Sequence, residues 1–146
     1  MILIAKIILY PSLIIFAIIL LPLLVIKKLT PKLTKNNISQ VGNKCVELFQ
    51  LKHLQIDFKL KKDIEYSQVK VIIKNKKYIV IIKDNWLNQN ASEIIHELTH
   101  IKKGQSDKMK DQSKGLKGYF INFYFDLCFA WPNEVRYFLW VRKNCI

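Results

Sequence analysis

Arginine is nearly missing from this chain: Arg136 and Arg142 are the only two among 24 basic side chains, which face 11 acidic ones. The formal net charge of +13 is therefore carried by lysine. There is no arginine-rich stripe of the kind that tracks nucleic acid, and no recognised nucleic-acid-binding motif takes its place. Cysteine is scarce as well. Cys45, Cys128 and Cys145 are odd in number and lack C-x-x-C spacing, so they suggest free thiols in a reducing compartment rather than a disulfide framework. The chain also has no internal repeats.

Charge is absent altogether from Ile7 to Ile26. An uncharged run of about 20 residues is what a helix needs to cross the hydrocarbon layer of a bilayer. It is too long for the apolar part of a signal peptide, and it runs into Lys27, Lys28, Leu29 and Thr30 with no small-residue cleavage pattern. Residues 1–28 are therefore expected to be an uncleaved, single-pass transmembrane anchor. Lys27, Lys28, Lys32 and Lys35 follow the span and only Lys6 and the terminal amine precede it, which orients the C-terminal part toward the cytoplasm. The anionic lipid surface of that leaflet is the simplest partner for the lysine charge, beside the plainer reading of a lysine-solvated surface.

Residues 29–37, with Pro31 and several polar side chains, suit a juxtamembrane linker. Residues 38–146 then form one small domain of the α+β class. Val41, Cys45, Leu48 and Phe49 have helical spacing, although Gly42 sits among them. Ile56, Phe58 and Leu60 alternate with polar residues as in a half-buried strand. Residues 68–74 and 78–83 flank Asn75-Lys76-Lys77 as the arms of a hairpin, and the second arm is apolar on both faces. About three antiparallel strands are expected.

A helix opens at Asn90, an N-cap residue with Glu93 at the third helical position in the manner of a capping box, and Gly104 closes it. It contains His96-Glu97-Leu98-Thr99-His100. Residues four apart lie on one helix face, so His96 and His100 can aim their imidazoles at one point, with Glu97 on the flank of that face. Ile94, Leu98 and Ile101 form a stripe roughly opposite, which leaves the histidine face to a cleft. Two of the chain's three histidines fall in this one motif. The expected ion is Zn²⁺, which in catalytic sites takes three protein ligands and keeps one position open.

The third ligand should come from a later segment that folds back. Glu134 is the only glutamate after the motif, just beyond Pro132, and a helical hairpin made by the aromatic stretch 118–131 and a turn at Pro132-Asn133 would bring it in. A helix N-terminal carboxylate that merely complements the macrodipole is the alternative for Glu134. Asp126, Asp107 and His53 are rival ligands. Asp126 stands out, because a carboxylate among Phe123, Phe125, Leu127 and Phe129 is costly to bury unpaired. It could also orient a ligand histidine through its other ring nitrogen, or face water. Tyr137, one turn after Glu134, is a candidate oxyanion stabiliser, with an aromatic core position as the alternative.

HELTH followed by PNEVRYF resembles the zincin superfamily, and within it the small gluzincin-like zinc metallopeptidases. The resemblance covers roughly residues 56–141. It implies His96, His100 and Glu134 on zinc, Glu97 as the general base, and hydrolysis of a peptide or protein substrate by a zinc-activated water. The E-x-E-A pattern of some relatives is missing, with Arg136 and Tyr137 at those positions, and no third histidine follows as in metzincins. A non-catalytic membrane-bound protein working through its cationic surface is the competing expectation.

Overall fold

The computed structural model describes residues 14, 17, 18, 21–65, 67–72, 77–85, 87–104 and 116–145. Most of the uncharged run, and Asp107, lie outside these. Among the described residues, no helix is long and apolar enough to cross a membrane.

The fold is α+β, with helices packed on a three-stranded sheet. Helix α1 (Leu21–Leu29) leads out of the apolar run and buries Leu23 and Ile26 while Leu21, Leu24, Val25 and Leu29 stay exposed. The stretch 29–37 does not cross open space as a linker would. Pro31 O accepts the Ala91 amide at 3.0 Å, the Leu33 amide donates to Gln89 O at 3.2 Å, and the Leu33 side chain is fully buried.

Helix α2 (Ile38–Leu48) buries Val41 and Cys45 as its spacing predicts, and Phe49 is buried just beyond its end. Gly42 in its middle has a packing reason. The Phe58 ring of strand β1 (Gln55–Lys61) lies against it, and a Cβ there would sit 2.6 Å from Phe58 Cγ. Removal of one side chain lets the helix and the strand meet.

Strands β2 (Gln68–Ile72) and β3 (Lys77–Lys83) form the expected hairpin, antiparallel with Ile72 opposite Lys77. The expectation of an all-antiparallel sheet is corrected, because β1 pairs with β3 in parallel, Phe58 opposite Val80. The order is β1-β3-β2. The reason lies in β3, whose run of buried Val80, Ile81 and Ile82 suits a strand flanked on both sides. After β1 the chain passes the far end of β3, where the Asp84 amide donates to Lys61 O and the Lys83 amide to Ser67 Oγ, and then returns as β2.

Helix α3 (Ala91–Lys102) carries the HELTH residues and is the centre of the molecule, with ten of its twelve residues buried. Asn90 caps it from an extended backbone conformation, its Oδ1 accepting the Glu93 amide at 3.3 Å, and Gly104 follows its end at φ +67°. The reciprocal half of the capping box is absent, because the Glu93 carboxylate is bound to Lys27 instead.

Helix α4 (Leu116–Phe125), a π-helical turn (Asp126–Ala130) and helix α5 (Trp131–Asn144) follow one another without a break. The expected hairpin at Pro132-Asn133 is thus corrected. A proline inside a regular helix clashes with the carbonyl four residues back and offers no N–H. Here the ladder widens first, the Trp131 amide donating to Asp126 O, and Pro132 falls in the first turn of α5, where no donor is needed. Helix α4 turns Phe125 inward and leaves Phe120, Ile121, Phe123 and Tyr124 exposed. Cys45, Cys128 and Cys145 are free.

Candidate metal centre

Helix α3 places His96 and His100 one turn apart, with ring centroids 5.0 Å from each other. The face they share is no open cleft. The π turn and the start of α5 cover it, so Glu97 and His100 are buried and the His96 side chain is only 13% exposed.

The covering segments bring two carboxylates. Asp126 Oδ1 lies 3.5 Å from His96 Nε2 and 3.4 Å from His100 Nε2, and these three ligand atoms all fall within 4.8 Å of one another. Glu134 approaches His96 from the other side of the ring, with Oε1 2.8 Å from Nδ1. Asp126 Oδ1 thus sits between the two imidazole Nε2 atoms, and Glu134, the expected third ligand, meets His96 at Nδ1 instead. The cause is the unbroken helix. Without a hairpin, α5 presents Glu134 about two helical turns further along than the π turn presents Asp126, on the Nδ1 side of His96.

Helix α3 is tied to the start of α5 by a residue of the motif itself. Asn133 Nδ2 donates to Thr99 Oγ1 at 3.1 Å, and that hydroxyl donates to Ile95 O at 2.8 Å. This bond sets the height of α5 on α3 and so the reach of Glu134. His100 is held from its other face by Phe125, stacked at 4.8 Å.

The other candidates are not brought in. His53 is exposed in the turn after α2. Tyr137, expected near the oxyanion, leans its ring on Phe49 at 5.4 Å and packs against the hydrophobic core, while Arg136 lies over it. Its aromatic surface is used to cover the end of α2. Sequence reading missed Thr99, Asn133 and Lys27 as supporting residues. For Thr99 and Asn133 the available signal was their place beside His100 and Glu134, as uncharged polar residues next to the candidate ligands.

Electrostatics at the site are those of surplus negative charge. Burial alone would lower the His96 pKa, but Asp126 and Glu134 hold it well above 6.5. Burial raises the Glu97 carboxyl to about 7 against the pull of His96 and His100. Burial also acts to raise Asp126, yet its contacts with His100 and His96 draw it down to about 2. At 3.4 and 3.5 Å those contacts are too long for good hydrogen bonds, and the buried Asp126 Oδ1 has no hydrogen-bond partner. Glu134 Oε2 is likewise buried without one.

Two of the three donor spacings match those around a tetrahedral zinc ion, and the three ligand atoms together lie within 4.8 Å of one another. Zinc bonds of about 2.0–2.1 Å to nitrogen and oxygen at tetrahedral angles put neighbouring ligand atoms about 3.4 Å apart. That is the spacing of Asp126 Oδ1 from both Nε2 atoms. An orphaned carboxylate oxygen between two imidazoles, one of them met by a carboxylate at Nδ1, is a donor set that could hold a cation.

Comparison with family models, with curated proteins and with solved structures returns no match to this chain.

Proposed function

We propose that this chain is a membrane-anchored, zincin-like metallopeptidase, in which His96, His100 and Asp126 hold Zn²⁺, Glu134 orients His96, and Glu97 is the general base. The observation that carries this reading is the position of Asp126 Oδ1, 3.5 and 3.4 Å from two histidine Nε2 atoms and without a hydrogen-bond partner. Three protein donors leave a tetrahedral ion one open position, as catalytic zinc requires. When bound, zinc supplies a Lewis acid that polarises a scissile carbonyl and makes water a nucleophile near neutral pH.

The chain's own residues do the rest. Glu97 sits beside His96 on α3, where its carboxylate would accept a proton from water and return it to the leaving amine. Glu134 fixes the His96 tautomer through Nδ1, which leaves Nε2 facing Asp126. Strand β2 is an edge of the sheet and lies against α3, so an extended peptide can add to it by main-chain pairing. The anchor is the uncharged run Ile7–Ile26.

The test is metal analysis of the full chain in detergent, with hydrolysis of fluorescein-labelled casein measured alongside. The wild type should carry one zinc per chain, and Glu97→Gln should keep that zinc while losing about 10²–10⁴-fold in rate. A wild-type chain without stoichiometric zinc, or a Glu97→Gln variant with full activity, overturns the proposal.

A further inference from the structure

Lys27 belongs to the helix that leads out of the apolar run, yet its charge is committed to the interior. Its Nζ lies 2.7 Å from Glu93 Oε2, with the two side chains only 17% and 8% exposed. Glu93 is three residues before His96 and so shares its face of α3. The carboxylates of Glu134 and Glu97 attract the same ammonium. Four carboxylates, Glu93, Glu97, Asp126 and Glu134, thus gather about two histidines. Among the described residues, Lys27 is the one lysine or arginine in an ion pair with any of them.

A buried ion pair is a weak source of stability, because desolvation offsets most of the attraction. Its place beside the histidines calls for another role. Glu93 unpaired would be a fourth carboxylate in this cluster, three residues before His96 on α3 and able to compete with Asp126 for a cation. We propose that Lys27 is a positioning residue of the metal centre: it holds the Glu93 carboxylate away from the ion, so that helix α1 is a working part of the site and not only its tether. This rests on the metallopeptidase reading and adds to it a residue from the membrane-proximal helix.

The test uses the full chain in detergent with Co²⁺ as the probe, since its visible absorption reports ligand number and geometry, and with labelled casein as substrate. Lys27→Met should alter the intensity of the Co²⁺ bands and lower kcat about tenfold or more, with KM little changed. Lys27→Arg should restore both. The double variant Lys27→Met, Glu93→Gln removes the stray carboxylate and should recover the wild-type Co²⁺ spectrum even where Lys27→Met alone is unstable. A Lys27→Met chain with the wild-type spectrum and kcat overturns this inference and leaves the peptidase reading standing. So does a double variant whose spectrum stays altered. A wild-type chain that binds no Co²⁺ overturns both.

Discussion

Glu134 closes on His96 from the side of the ring turned away from Asp126, its Oε1 2.8 Å from Nδ1. A histidine has two ring nitrogens, and a carboxylate on one leaves only the other for an ion. This contact therefore separates the roles of two acidic residues that look alike in sequence. Removing an orienting partner weakens metal binding by about 10–100-fold, whereas removing one of three ligands abolishes stoichiometric binding. Glu134→Ala is expected to bind zinc in that weakened range and Asp126→Ala to retain none after dialysis. Zinc titration with a chromogenic competitor checks both. The reverse order, with Glu134→Ala the more damaging, would return Glu134 to the metal.

The metal-free domain should lose stability as pH rises from weakly acidic to weakly basic. Glu97 has its carboxyl raised from 4.5 to about 7 by burial, so its contribution is intact below about 4.5 and is lost as pH climbs through about 7. The difference is on the order of 3 kcal/mol. His96 is held well above 6.5, so its stabilising charge is fully present below 6.5 and is lost as pH rises through its folded value. Asp126 acts the other way, its contribution present above 3.8 and lost as pH falls toward about 2. Thermal melts without metal should therefore give a Tm that declines between about pH 5 and 8. Zinc held by His96 would compete with its proton, so the rise in Tm on adding zinc should grow across the same interval. A flat Tm would count against the buried positions of His96 and Glu97.

Gly42→Ala is expected to destabilise the fold even though alanine is the better helix former. The gain in helix propensity is about 1 kcal/mol. Against it stands the Phe58 ring, buried in the core and so close that a Cβ would lie 2.6 Å from its Cγ, near the base of a side chain that cannot swing clear. Overpacking of this kind costs about 1–3 kcal/mol. A lowered denaturant midpoint checks it, and Phe58→Leu added to Gly42→Ala should restore part of the loss.

Local sequence carried much of the fold. Asn90 and Gly104 mark the ends of α3, the spacing of Val41 and Cys45 marks α2, and the two apolar runs that end at Ile72 and start at Tyr78 mark the arms of the hairpin. The direction of β1 against β3 was not legible, because alternation reports burial and says nothing of strand order. His96, Glu97 and His100 share a helix face by period alone. The position of Asp126 between the two imidazoles depends on a π turn, and one extra residue in a helix leaves no sequence signal that distinguishes it from an ordinary apolar run. Pro132 was the visible trace of that turn, and it reads more simply as a break. Lys27 was hidden for another reason: a lysine next to a long apolar run has an obvious place at a membrane surface.

The π turn itself can be tested by shortening it. In Asp126–Ala130 the Trp131 amide reaches back five residues to Asp126 O, so the segment holds one residue more than a regular helix needs. Helix α5 is fixed to α3 by the Asn133–Thr99 hydrogen bond and by buried Val141. Deleting Cys128, which is exposed, should convert the segment to a regular helix and turn everything before it by about 100° relative to α5. Asp126 then leaves the two histidines and Phe125 leaves the face of His100, while Glu134 keeps its contact with His96. The deletion variant should stay folded, with a helical circular dichroism spectrum, and lose stoichiometric zinc to the extent that Asp126→Ala does. Replacing Cys128 with Ala, which keeps the residue count, should leave zinc binding unchanged. If the deletion variant folds and still binds zinc at full stoichiometry, the third ligand does not come from the π turn.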